Sequence, residues 1–142
     1  MRELQRDGRL TTRQLAMRVH RSPTAVFERV KRLENEGFIR RYTAVLDAEK
    51  LGQGFLVYCQ VKLRFMNNAI AEDFVSRVAA IPEVTECYNV SGAFDYLLRI
   101  HARSMEAYRE FLLNKLGTIE SLGSVESTFV MSQIKHDYSI PL

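Results

Sequence analysis

Between Thr11 and Gly37 the chain reads TTRQLAMRVHRSPTAVFERVKRLENEG, two short helical patterns separated only by a tight turn. Thr11 and Gln14 have the spacing of a capping box, in which the hydroxyl serves the third N–H and the amide reaches back. Leu15 and Val19, four apart, supply the buried stripe of the first helix. His20-Arg21 forms the turn. Ser22 is a second N-cap, and Pro23 takes the first helical position, where a missing N–H costs nothing. Val26, Val30 and Leu33 then fall on one face. At about 100° per residue, Thr24, Glu28, Lys31, Arg32 and Asn35 fall on the opposite side, flanked by Phe27 and Arg29. Gly37 ends the helix, and Phe38 to Leu46 reads as a strand that would serve as a wing or arm. Two short helices with a wet, basic second member are built to lay that helix in a DNA major groove.

Charge supports this reading. Residues 1–45 carry 11 Lys+Arg against 5 Asp+Glu, whereas residues 46–142 carry 9 against 12. A basic first third joined to an acidic remainder fits a nucleic-acid module attached to something else. Ser22 and the first N–H groups beside Pro23 and Thr24 suit a phosphate. Thr24, Ala25, Glu28 and Arg29 occupy the turns that reach base edges. Arg29 suits guanine and Glu28 suits cytosine, although Glu28 equally suits an ion pair with Arg32 one turn on. Arg13, Arg18, Arg21, Lys31, Arg32 and Arg40 read as phosphate contacts or solvated charge.

The 142 residues allow one ordinary domain or two small ones. No apolar run approaches the roughly 18 residues of a membrane span. The charged start Met1-Arg2-Glu3-Leu4-Gln5-Arg6-Asp7 has no apolar signal core, so the expected location is the cytoplasm. Cys59 and Cys87 lie in strand-like runs without metal spacing and are expected as buried, reduced thiols. No metal or cofactor is expected.

The expected organisation is a winged helix-turn-helix domain over 1–46, a hinge over 47–54 (DAEKLGQG), and a second domain over 55–142. The second domain reads β-α-β-β-α-β. Phe55 to Phe65 alternates, with Phe55, Val57, Cys59, Val61, Leu63 and Phe65 on one face. Asn67-Asn68 caps a helix carrying Ile70, Phe74, Val75 and Val78. Val84 to Val90 and Asp95 to Ala102 form a hairpin. Ser104 caps a helix with Tyr108, Phe111, Leu112 and Leu116 inward. Ser121 to Ser124 is a loop, and Val125 to Ile134 is the last strand. The class is α+β, a helix-turn-helix domain followed by a ferredoxin-like βαββαβ domain. One sheet face, bearing Leu56 and Tyr58, lacks a helix layer and should seek a second copy of the chain.

Ser91-Gly92-Ala93-Phe94-Asp95-Tyr96 supports two readings. A glycine turn followed by an aspartate offers N–H groups to a carboxylate and an anion to an ammonium, as a free amino acid needs. It is equally a hairpin whose Gly permits the turn and whose Asp caps it.

The stretches LQRDGRLTTRQLA, SPTAVFERVKRLENEGFIRRYTAVLD, EVTECYNVSGAFDYLLRIHARSMEAYREFL and IKHDYSIPL, in this order, resemble the Lrp/AsnC (feast/famine) family of transcriptional regulators. The resemblance implies an N-terminal DNA-binding domain, a C-terminal amino-acid-sensing domain, and homodimers that assemble further, often to octamers. It implies effector binding at the Ser91–Tyr96 turn, at Gly92 and Asp95, across a subunit interface. By position, Tyr88, Met105, Thr128, Phe129 and Val130 join that pocket, and the apolar Met105, Phe129 and Val130 lean towards leucine or methionine. Two departures stand out. The family's first helix usually begins about ten residues earlier, so the first helix is expected to be truncated to Arg2–Arg6. The family's turn usually reads Gly-Leu where this chain has His20-Arg21. The competing reading is a small ferredoxin-like enzyme or ligand-binding domain with an incidental basic N-terminal module. It requires a Gly-rich anion loop with an Arg, clustered His and carboxylates, or a paired nucleophile and base, and none is evident. An RNA-binding sheet would need a basic-glycine-aromatic signature in its central strands, which is missing.

Overall fold

The computed structural model describes residues 1–142. Contacts divide them into two units, Met1–Leu46 with Ile134–Leu142, and Asp47–Gln133. The sequence places the tail with the second domain, yet its hydrogen bonds reach the first helix: the Gln5 side chain exchanges two with the Ile140 backbone.

The first unit holds α1 (Arg2–Arg6), α2 (Thr12–Arg18) and α3 (Pro23–Asn35). Both halves of the Thr11/Gln14 capping box form. Ser22 Oγ accepts from the Ala25 N–H at 3.3 Å, and Pro23 opens α3. The unit's small core is Leu15, Ala16 and Val26, flanked by Leu4, Leu10 and Val30. Val19 is not part of the buried stripe expected for it, being 41% exposed. It follows the last residue of α2, where the backbone leaves the helical path, and Ala16 occupies the buried position instead.

His20 has φ +51°, the left-handed region where a Cβ is costly. This is the turn position at which a glycine would be cheapest. His20→Gly should therefore raise the stability of this unit by up to about 1 kcal/mol, read as a higher urea midpoint for loss of helical circular dichroism. An unchanged or lower midpoint would show that the turn gains nothing from the relief.

The expected strand over Phe38–Leu46 does not form. No neighbouring strand exists in this unit to satisfy its backbone, and an isolated strand is not stable. The segment is anchored by the Ile39 N–H on the Leu33 carbonyl at 3.1 Å and by the Tyr42 hydroxyl on Glu34 at 2.9 Å. Phe38, Tyr42, Val45 and Leu46 remain exposed.

The second unit has β1 (Phe55–Leu63), α4 (Asn68–Ala79), β2 (Val84–Asn89), β3 (Tyr96–Ala102), α5 (Met105–Asn114), a 3-10 turn (Leu116–Thr118) and β4 (Leu122–Phe129). The antiparallel sheet runs β2-β3-β1-β4, the ferredoxin-like order. Asp47–Gly54 is a series of turns, with Gly52 at φ +65°. Val57, Cys59, Val61, Leu98 and Ile100 face Phe74, Val78, Tyr108 and Phe111 in one core.

Several details differ from the sequence reading. β1 stops at Leu63, leaving Phe65 exposed beyond it. Val75 of α4 is exposed, so that helix buries only Phe74 and Val78. Leu116 is buried but lies past the end of α5. β4 is shifted: Leu122–Ser124 is strand rather than loop, and nothing after Phe129 is strand. The reason is β1, whose span from Leu63 to Val57 pairs with Leu122 to Phe129. The register slips between Lys62 and Leu63, and Gly123 sits there because a Cβ would lie 2.9 Å from the Lys62 carbonyl oxygen.

Of the two cysteines only Cys59 is buried; Cys87 is exposed because β2 is an edge strand. Burial pushes the Cys59 thiol up to about 11, which keeps it protonated and inert.

Candidate nucleic-acid interface and effector site

α3 presents a continuous exposed surface. Thr24, Ala25, Glu28, Arg29, Lys31 and Arg32 are all exposed along it. Ser22 spends its hydroxyl on the Ala25 N–H, which leaves the Thr24 N–H at the helix start available to an anion. The Glu28–Arg32 ion pair, the alternative to a DNA contact for Glu28, is not made. Arg32 instead pairs with Glu36 at 3.6 Å, one turn further on, and Glu28 has no partner in the chain. Arg21 and Arg29 line one groove with Met1, Leu4, Val19 and Val30, so these two guanidiniums share a side of the unit. Sequence reading gave no DNA role to Phe27. It is 51% exposed on the second turn of α3, where an aromatic ring gains nothing from the core. Its flanking position on the helical wheel was the available signal.

The expected effector residues separate into two groups at opposite ends of the sheet. The first is the β2–β3 turn. Ser91, Gly92 and Ala93 are exposed, and Gly92 has φ +125° with nothing within 4 Å of where a Cβ would sit. Asp95 follows, but it is 8% exposed and fully engaged. Its Oδ2 accepts from the Leu63 N–H at 2.8 Å and its Oδ1 pairs with Lys62 Nζ at 3.0 Å. These contacts, the backbone N–H first, hold its carboxyl below the usual carboxylate value. Asp95 therefore clamps the end of β1, and the expectation that it offers a free anion to an ammonium is corrected. Tyr96 is likewise a core residue, its ring 4.7 Å from Phe74.

The second group lies at the other end. Phe129 pairs with Val57 and packs against Phe55 and Tyr108 at 5.8 and 5.7 Å. The Val130 N–H bonds the Leu56 carbonyl, and exposed Met105 opens α5 just past Ala102, the partner of Phe55. Asp95 by contrast touches Val61 and Leu63. At about 3.3 Å per residue, Val57 beside Phe129 and Leu63 beside Asp95 lie roughly 20 Å apart along β1. One protomer does not bring Gly92 together with Met105, Phe129 and Val130. Tyr88 and Thr128 lie between the ends on the helix-free face, on β2 and β4.

That face is more polar than expected. Leu56 is already 8% exposed within the protomer. Around it lie Tyr58, Gln60, Lys62 and Glu126, with Arg99 paired to Glu86 at 2.8 Å while only 6% exposed. The Tyr88 hydroxyl donates to Glu86 at 2.7 Å. Sequence reading missed Arg99 and Glu86. Period-two alternation placed Arg99 opposite the apolar Leu98 and Ile100, which was a usable signal, but its partner lies across a hairpin.

Comparison with known proteins matches both units. The profile of a winged helix-turn-helix DNA-binding domain fits residues 1–40, and that of the Lrp/AsnC ligand binding domain fits residues 56–140. The leucine-responsive regulatory protein of Klebsiella pneumoniae is 39% identical over 135 residues, 95% of this chain and 82% of that protein. A transcriptional regulator of Neisseria meningitidis, solved as its L-methionine complex, superposes with a TM-score of 0.92 at 36% identity, covering 97% of this chain and 89% of that one. The feast or famine regulatory protein of M. tuberculosis, also complexed with L-methionine, superposes at 0.88 with 30% identity, over 98% and 92% of the two chains. No helix is long and apolar enough to cross a membrane. With a basic recognition helix on one unit and a ferredoxin-like ligand-binding sheet on the other, this chain belongs to the Lrp/AsnC family of DNA-binding transcriptional regulators.

Proposed function

We propose that this regulator reads DNA with α3 and changes its assembly and DNA affinity when a small apolar amino acid, methionine or leucine, binds. It works in the cytoplasm as a homodimer that assembles further, and it carries out no catalysis. On DNA, Arg29, Glu28, Thr24 and Ala25 meet base edges, while Arg21, Ser22, Pro23 and Arg32 meet phosphates. The observation that carries the effector reading is the open turn at Gly92, in a chain similar to two solved regulators holding L-methionine. The site is shared between subunits. One contributes the Ser91–Gly92 turn, whose N–H groups meet the carboxylate, and another contributes Met105, Phe129 and Val130 from the far end of its sheet. The roughly 20 Å between the two groups along one β1 supports this division. Asp95 and Tyr96 hold the turn from behind. Tyr88 and Thr128 lie on the face where two protomers meet.

A thermal-shift screen of the pure protein against the twenty amino acids tests the effector, because a ligand that binds only the native state raises the melting temperature. Methionine or leucine should give the largest rise and change the species seen by light scattering. No response at millimolar concentration from any amino acid would remove the effector reading. The shared site predicts more. Gly92→Ala and Phe129→Ala chains, each unable to respond alone, should regain part of the response when mixed. Mixed assemblies that stay unresponsive would place the whole site in one protomer.

A further inference from the structure

We propose that Ile134–Leu142 is a working part of the DNA-binding unit: it braces α1 and carries the effector signal from the end of β4 to the recognition helix. No residue of α1 is buried, so neighbouring segments of the unit hold it in place. Part of the hold comes from Leu4, which packs beside Leu15, Ala16 and Val26, and from Glu3, which pairs with Arg18 of α2 at 3.2 Å. The rest comes from the tail. Gln5 Nε2 donates to the Ile140 carbonyl at 3.1 Å, and the Ile140 N–H donates to Gln5 Oε1 at 2.8 Å. Arg2 Nε donates to the Leu142 carbonyl at 2.9 Å.

The paired bonds at Gln5 treat its side-chain amide as a peptide group, so they fix one residue of the tail in register. The tail has no helix or strand of its own, and a segment without one is held only by such contacts. From Gln5 the brace continues through α1 to Glu3, Arg18 and α2, and through Leu4 to Val26 of α3. Its other end is covalent. Four residues separate Phe129, the last residue of β4, from Ile134. Phe129 and Val130 are effector residues in the function proposed above, on which the relay, though not the bracing, rests. A ligand that fixes the end of β4 fixes the start of the tail, and a two-state shift there is passed on as a change in how firmly α1 is held.

The test uses the full chain, the Gln5→Leu variant and a chain ending at Gln133. The probes are L-methionine, L-leucine and a duplex selected by the wild type from a random pool. Both variants should bind the amino acid as the wild type does. Both should bind DNA more weakly, on the order of tenfold, the loss that two net hydrogen bonds carry. The ratio of DNA affinities with and without amino acid should fall to one. That ratio separates relay from scaffold: if DNA binding weakens while the ratio stays at its wild-type value, the relay is overturned. Unchanged DNA affinity in both variants overturns the brace. If the shortened chain does not fold, Gln5→Leu decides alone, because it leaves the backbone intact. Should neither amino acid bind the wild type, the effector reading fails and the relay with it, and DNA affinity in the variants still decides the brace.

Discussion

Replacing Asp95 with alanine should destabilise the ligand-binding unit by roughly 2–3 kcal/mol, because it strips a buried N–H of its charged acceptor. The Leu63 N–H at the end of β1 donates to Asp95 Oδ2 at 2.8 Å, and Lys62 Nζ loses its counter-charge in the same change. Asp95→Asn keeps a carbonyl oxygen in place and should cost less than half as much. Acid separates the two explanations further. The Asp95 carboxyl is held below its ordinary value, so its contribution is fully present above the unfolded value of about 3.9. It is then lost as pH falls through the lower folded value. The gap in urea midpoint between wild type and Asp95→Asn should therefore be constant at neutral pH and shrink below about pH 4. A gap that does not narrow in acid would show that the ionised carboxylate is not what holds the turn. The same variants bear on effector binding. Loss of amino-acid response in Asp95→Ala should track loss of stability.

How much was legible in the sequence depended on the range of the interaction. The Thr11/Gln14 box, the Ser22 cap, Pro23 at the helix start and Asn67 and Ser104 as caps are decided within four residues, and each forms as read. Alternation over Phe55–Leu63 likewise sorted the core from the open face. What failed was decided at a distance. Phe38–Leu46 has strand composition but no strand beside it in its unit. The start and end of β4 are fixed by the length of β1, some sixty residues earlier. Val19 lies one residue past the last turn of α2, so its helical spacing from Leu15 no longer sets its direction. Asp95 and Lys62 are 33 residues apart, and nothing local in the turn distinguished an anion waiting for a ligand from one already paired. The candidate site is the least legible part: its residues lie at opposite ends of one sheet, and only the family resemblance, which places the site across a subunit interface, joins them.

DNA binding should lose about a thousandfold or more in affinity between 50 and 200 mM salt, the fall expected when six or more phosphates are neutralised. The first unit carries the charge for it: residues 1–45 hold 11 basic against 5 acidic side chains, and those along α3 are exposed. The two arginines of the helix should separate under mutation. Arg32 sits beyond the first turns and is held at 3.6 Å by Glu36, so Arg32→Ala should weaken matched and mismatched duplexes alike and lower the salt slope by about one. Arg29 lies nearer the start of α3, lining the same groove as Arg21, and a guanidinium there can meet a guanine edge with two parallel hydrogen bonds. Arg29→Ala should reduce discrimination at one base position by about 1–3 kcal/mol, while the salt slope stays nearly unchanged. Affinities for a selected duplex and its single-base variants, at two salt levels, measure both quantities. Equal discrimination with and without Arg29 would move base readout to Thr24, Ala25 and Glu28. A complex indifferent to salt would mean that the basic face of α3 does not meet the DNA backbone.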